Sequence, residues 1–137
     1  MSENVDLVRS LYAKTERGDF GFVDREPELR EFYAPDFEWH TRADLPDAGV
    51  RTGYEGLARL RAEWADAFDD LHLDLDELID AGDQVVAVAR ICGCLRDSGH
   101  QVEVEETQVW KMRDGRATEV RAYLTRPEAL KAVGLEE

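Results

Sequence analysis

Glu106 and Gln108 stand two residues apart in the run QVEVEETQVWKMR, positions 101–113, where polar and apolar residues alternate. Successive side chains of an extended chain point to opposite faces, so these two share a face with Val102, Val104, Trp110 and Met112. A carboxyl group can take up and return a proton, and a primary amide can donate to a carbonyl oxygen or accept from a donor. In the middle of an apolar face, an acid and an amide could form the polar floor of a pocket. The same pattern suits a solvated face of an ordinary sheet, and for a lone hairpin that plainer reading is favoured. On the preceding apolar run, Val85 to Leu95, Arg90 is the charged residue that interrupts the even positions.

Other chemistry finds little support. His40, His72 and His100 are scattered without metal-ligand spacing, so no metal site is expected. His72 alternates with leucines beside Asp74 and reads as solvated, and His100 sits in a Ser-Gly turn. Cys92 and Cys94 share a strand face about 7 Å apart, at or beyond disulfide reach, and read as reduced thiols. Phosphate-loop, dinucleotide and Gly-x-Ser-x-Gly patterns are missing, and no cofactor is implied.

The elements that must position Glu106 and Gln108 follow from periodicity. Val5, Val8, Leu11 and Tyr12 make one stripe of a first helix, which Gly18 ends. A second helical piece is expected from about Asp24 to Tyr33, with Pro27 in its first turn. Pro35-Asp36 breaks that pattern, and Phe37 to His40 reads as a short strand. Thr41 to Gly53 reads as a loop. Leu57, Leu60, Trp64 and Phe68 mark a third helix from Tyr54 to about Asp69. From Leu71 the period becomes two, with strands to Ile79, from Val85 to Leu95, and on both sides of Asp114-Gly115. A short helix begins at Arg126-Pro127. Helices segregated from antiparallel strands indicate a single α+β domain spanning residues 1–137.

Composition narrows the partners. Seventeen basic side chains against 31 acidic ones leave a formal charge of −14, which repels phosphate backbones and anionic lipid. Nucleic acid and membrane surfaces are therefore not expected partners. The acidic start MSENVDLVRS lacks a cationic segment and an apolar core, so a cytoplasmic location is expected. A sheet apolar on both faces calls for a cover on the second one, and a homodimer through the outer face is the expectation.

The chain resembles the SnoaL-like and ketosteroid isomerase-like proteins of the nuclear transport factor 2-like superfamily. The resemblance rests on Leu11-Tyr12 with Gly18-Asp19, on Phe32 to His40 (FYAPDFEWH), and on Arg51 to Gly56 (RTGYEG). It continues through Val109 to Arg116 (VWKMRDGR), Tyr123, Glu128 to Leu130 and Gly134-Leu135. It implies a cone-shaped, strongly curved antiparallel sheet wrapped around three N-terminal helices, enclosing an apolar pocket. The even face of the hairpin would line the cone. Val85, Ala87, Ala89, Ile91, Thr107 and Val109 would meet a second subunit.

The resemblance also implies roles. Isomerases of this kind use a carboxylate base from the first strand and an oxyanion hole made by a helix-one tyrosine and a protonated acid. Matching the Gly18-Asp19 turn puts Leu11 at the tyrosine's place, with Tyr12 rotated about 100° from it. His40-Thr41 fall at the base's place and Gln108 at the acid's. SnoaL-like cyclases use an acid in the hairpin strand, for which Glu106 is the nearest match. The Asp-Arg-Asp set of related epoxide hydrolases has no counterpart around Arg90. The implied site has His40 and Glu106 as catalytic groups, with Tyr12, Trp64, Arg90, Gln108 and Trp110 around the substrate. Arg90 would pair with Glu106 or bind an oxyanion. The expected function is cofactor-independent proton transfer on a hydrophobic carbonyl compound, as in an isomerase or cyclase. The other reading is a non-catalytic binder of a small apolar ligand, or a dimerisation module.

The hairpin turn decides which face its second arm shows. A two-residue turn pairs Arg113 with Arg116 and sets Gln108 opposite Arg121. A three-residue turn with Gly115 in a bulge sets Gln108 opposite Val120 and Glu106 opposite Ala122. The bulged turn joins the more apolar faces and is the expected one, leaving Arg121 and Tyr123 outside.

Overall fold

The computed structural model describes residues 3–16, 31–41 and 49–135. Helix α1 covers Glu3–Glu16, strand β1 Tyr33–His40, strand β2 Val50–Thr52 and helix α2 Gly53–Ala67. Strands β3 (Phe68–Ala81), β4 (Gln84–Leu95), β5 (Gln101–Arg113) and β6 (Arg116–Tyr123) follow, then helix α3 (Arg126–Ala132). The chain is α+β, with three helices among the described residues and one six-stranded sheet in the order β2-β1-β6-β5-β4-β3.

The sheet is mixed, not purely antiparallel as expected. Strands β3 to β6 form a meander joined by short turns, which forces antiparallel pairing, whereas β1 arrives from far upstream and runs parallel to β6. The sheet is open, with β2 and β3 at its edges, and is not strongly curled into a cone.

Several boundaries differ from expectation. The second helix lies mostly outside the described residues: positions 31 and 32 are helical, but Tyr33 already belongs to β1. Pro35-Asp36 sit within that strand, at an irregularity of the β1–β6 register between Tyr33 and Glu38. A proline cannot donate to a ladder, so a bulge is where the strand tolerates it. Part of the expected loop, Val50–Thr52, pairs with β1. Helix α2 stops at Ala67, and Phe68 and Asp69 start β3.

Two clusters show which face is which. Helices α1 and α2 cover the inner face, where Val8, Leu11, Tyr12, Phe37, Trp39, Val85, Ala87, Ala89, Trp110 and Val120 pack together. Helix α3 lies on the outer face over Val86 and Val109, through Ala129. Its start is capped by Thr125, whose Oγ1 accepts from the Glu128 N–H, with Pro in the first turn.

These clusters correct the expected outer face. Val85, Ala87, Ala89 and Ile91 face inwards and only Thr107 and Val109 face outwards. The register pairs Val85 with Trp110, Ala87 with Gln108, Ala89 with Glu106 and Ile91 with Val104. Odd positions of β4 therefore share a face with even positions of β5. Among the described residues no helix is long and apolar enough to cross a membrane.

Candidate functional site: a buried hydrogen-bond chain ending at a cavity

Strand β5 delivers the candidate carboxyl group. Its inner positions pass from the core residues Met112 and Trp110 through Gln108 to Glu106, and then to Val104 and Val102. Helix α1 crosses above, and its stripe of Val8, Leu11 and Tyr12 drives it onto the sheet. Tyr12 and Trp110 meet edge to face with ring centroids 6.0 Å apart.

Four side chains then form one directed hydrogen-bond chain. The Trp110 indole N–H donates to the Tyr12 hydroxyl oxygen at 3.1 Å. The Tyr12 hydroxyl donates to Gln108 Oε1. The Gln108 amide nitrogen donates to Glu106 Oε2 at 2.8 Å. The sense of the chain follows from its first member. An indole can only donate, so the Tyr12 oxygen accepts there and sends its own proton to Gln108, which fixes the amide with its NH₂ towards Glu106. Burial pushes the Tyr12 phenol far above its usual range; the Trp110 bond opposes this, and the charge of Glu106 and Tyr33 adds to it. The phenol therefore stays protonated and stays a donor. Tyr12, Gln108 and Trp110 are all buried, and Glu106 is 6% exposed.

Glu106 is where this chain reaches open space. A cavity of about 400 Å³ is lined by Glu106, Val102, Val104, Ile91 and Ala122 from the sheet, Trp39 and Thr41 from the end of β1, and Leu60, Trp64 and Ala67 from α2. Arg51 and Glu63 also line it, and their side chains form a two-stranded ion pair, with one N–O distance of 2.9 Å. The Arg51 hydrogen bond holds the exposed Glu63 carboxyl below its usual range; burial opposes this, and the Arg51 charge adds to it. The cavity is thus an apolar chamber with one acid in its wall and an ion pair among its lining residues.

The seven expected site residues separate into three groups. Glu106 and Trp64 line the cavity. Tyr12, Gln108 and Trp110 lie behind Glu106, bonded to one another, and are not among the lining residues. Tyr12, expected to be turned away from the tyrosine's place, points its hydroxyl into the chain. His40 and Arg90 are on the other face of the sheet, a correction to both.

For His40 the reason is alternation within β1: Trp39 and Thr41 line the cavity, so the residue between them faces away. Its Nε2 lies 3.0 Å from Glu38 Oε1 and 3.5 Å from Glu119 Oε1. Arg90 is cross-strand from Glu105 and Asp74, and its guanidinium bonds Asp76 and Glu103 at the surface. Those hydrogen bonds and charges raise its already high pKa further against desolvation.

Trp39, Thr41, Arg51 and Glu63 were missed as cavity residues. Trp39 was detectable, because a tryptophan alternating with His40 in a half-buried strand belongs to the apolar face.

The hairpin combines features of both turns. Asp114 and Gly115 have φ of 52° and 77°, and Arg113 pairs with Arg116, so the turn is the two-residue type that was not expected. Met112 pairs with Ala117 but Lys111 pairs with Glu119, leaving Thr118 as an extra residue. That bulge restores the parity: Val120 and Ala122 face inwards opposite Trp110 and Gln108, and Arg121 and Tyr123 lie outside.

A model of the SnoaL-like domain matches residues 8–120. The chain belongs to the SnoaL-like family. A nuclear transport factor 2-like protein from Burkholderia thailandensis has a similar solved structure, with 25% identity over 100% of both chains and a TM-score of 0.75. A putative SnoaL-like polyketide cyclase from Jannaschia sp. is 22% identical over 98% of this chain and 94% of its own, also at 0.75. TerC, co-crystallised with polyporic acid, is 25% identical over 97% of this chain and 99% of its own, at 0.69. A search of curated proteins finds no match.

Proposed function

We propose that this SnoaL-like chain binds a small hydrophobic carbonyl compound in the Glu106 cavity and moves a proton on it, in an isomerase- or cyclase-like reaction without a cofactor. The observation that carries this reading is the Glu106 carboxyl. It stands in an apolar wall at the end of a hydrogen-bond chain that fixes its orientation. A carboxyl held in that way is placed to take a proton from a carbon beside a carbonyl and return it elsewhere. Tyr12, Gln108 and Trp110 act as positioning residues. The similarity to TerC makes polyporic acid a suitable first ligand to test.

A second reading has its own observation. The Tyr12 and Gln108 donors point along the chain, not into the cavity, so they make no oxyanion hole for a bound carbonyl. That favours a binder over a catalyst.

The two readings separate in one experiment. Ketone and polyketide-like compounds are tested for turnover, and polyporic acid for binding, with the native protein and Glu106→Gln. Turnover that falls by about 10²–10⁴-fold in Glu106→Gln supports the enzyme. Equal turnover in both removes Glu106 as the catalytic group. Saturable binding without turnover establishes the binder.

A further inference from the structure

On the outer face of the β3–β4 pair, His72, Asp74 and Cys92 bring a ring nitrogen, a carboxylate oxygen and a sulfur within 4.8 Å of one another. We propose that these three side chains bind a divalent zinc-class cation that clips β3 to β4.

The register builds the set. His72 pairs directly with Cys92, and Asp74 stands two residues along on the same face. His72 Nε2 is 3.6 Å from Asp74 Oδ2, and Cys92 Sγ is 3.8 Å from the same oxygen. Tetrahedral zinc with bonds of about 2.0–2.3 Å needs ligand atoms roughly 3.3–3.8 Å apart, so small rotamer adjustments suffice.

The second nitrogen of His72 is already committed. Nδ1 lies 3.0 Å from the Asp70 carbonyl oxygen, which can only accept. A donor at Nδ1 leaves the Nε2 lone pair towards Asp74 and Cys92, the arrangement that orients metal-binding histidines. Asp70, at φ 55°, lies in the register irregularity between Asp69 and His72 that brings its carbonyl there.

Arg90 is the counter-argument, since its guanidinium comes within 3.9 Å of Asp74 Oδ2. Its hydrogen bonds, however, go to Asp76 and Glu103, at 3.1 Å each. Asp74 is left for the cation, and three carboxylates stand against one guanidinium around the site. An imidazole, a carboxylate and a thiolate suit zinc or cobalt better than magnesium or calcium. A water molecule would complete the tetrahedron.

Binding replaces the Sγ–H bond of Cys92 with an Sγ–metal bond and releases the proton to solvent. Affinity should therefore rise with pH.

The test uses tag-free full-length protein stripped with a chelator and titrated with Co²⁺, then Zn²⁺. The expected result is a thiolate-to-cobalt charge-transfer absorption that saturates near one equivalent and is displaced by zinc. Cys92→Ser should abolish it, His72→Ala should weaken binding at least about tenfold, and Cys94→Ser should leave it unchanged. No such absorption in the folded native protein overturns the site, as does its persistence in Cys92→Ser or its loss in Cys94→Ser. Circular dichroism confirms that each variant folds. If Cys92→Ser does not fold, His72→Ala decides, and unchanged cobalt affinity in it overturns the proposal.

Discussion

The Tyr12 hydroxyl donates to the Gln108 side-chain carbonyl across a sequence separation of 96 residues, tying α1 to β5 behind the cavity. Tyr12→Phe keeps the ring but removes the acceptor of the Trp110 N–H and the donor to Gln108 in one step. Two buried polar groups then lose a partner, at about 1–3 kcal/mol for each left unsatisfied. Urea denaturation should show a loss within or above that range. If Glu106 acts in proton transfer, turnover should also fall, with the larger change in kcat. A variant as stable as the native protein would mean that the chain contributes nothing to the fold.

How far such relationships are legible from the sequence depends on whether they lie within one element or between two. Alternation inside β5 put Glu106, Gln108, Val104 and Trp110 on one face, as found. Pairing across elements was not legible in the same way. Alternation gives β4 two faces but not which of them meets the inner face of β5; the connection through residues 95–100 sets that phase and pairs Arg90 with Glu105, on the outer side. A change of one residue there reverses every side chain of β4. The Asp114-Gly115 turn was visible, and the compensating bulge at Thr118 was not, because a threonine in a strand carries no bulge signal. Tyr12 shows the same limit: a stripe shows which helix face is apolar, not how that face is rotated over the sheet. The outward position of His40 was legible, since its neighbour Trp39 belongs to the cavity side and successive side chains of a strand alternate.

Gln108→Glu should make stability depend steeply on pH. The variant replaces the N–H donor to Glu106 with a second buried carboxyl. Burial and the neighbouring acid both favour the neutral form of the introduced group, raising its folded-state pKa above the ordinary value of about 4.3. A group with a raised folded-state pKa gives its full contribution below the unfolded value and loses it as pH rises through the folded one. The melting temperature of this variant should approach that of the native protein near pH 4 and fall behind it towards pH 8. A constant gap across that range would contradict the buried pairing.

Val104→Trp should separate binding from folding. Val104 lines the cavity and is 37% exposed, so a larger side chain can extend over the chamber from its edge without entering the core. Ligand affinity should drop more than about tenfold, the effect of losing roughly 1.4 kcal/mol of contact, while the melting temperature changes little. Calorimetry with polyporic acid and thermal melts check the two halves. Unchanged affinity would place the ligand elsewhere.

Glu119 on the outer face offers a pH test with a defined sign. Burial alone would raise its carboxyl, but the Arg121 hydrogen bond and charge, with His40 and Lys111, outweigh burial and hold it below the usual range. With the folded-state value depressed, the pair adds stability above the ordinary carboxylate pKa and loses it on acidification. Arg121→Met should remove the largest opposing influence and move the Glu119 titration upwards, measurable by carbon NMR of the carboxyl group. A titration that stays in place would show that Arg121 does not control it.

Thr107 should tolerate replacement by valine with a gain. Its side chain is fully buried on the outer face, cross-strand from Tyr123 and Val88, and its Oγ1 makes no hydrogen bond among the described residues. A buried hydroxyl without a partner carries a desolvation cost of about 1–3 kcal/mol, which Thr107→Val removes while keeping the β-branched shape that suits a strand. The variant should be more stable by about 1 kcal/mol in denaturant unfolding, with an unchanged slope. The opposite result, a loss of stability, would mean that Oγ1 meets a polar partner in solution. The outer face around β5 would then be more than a bed for α3.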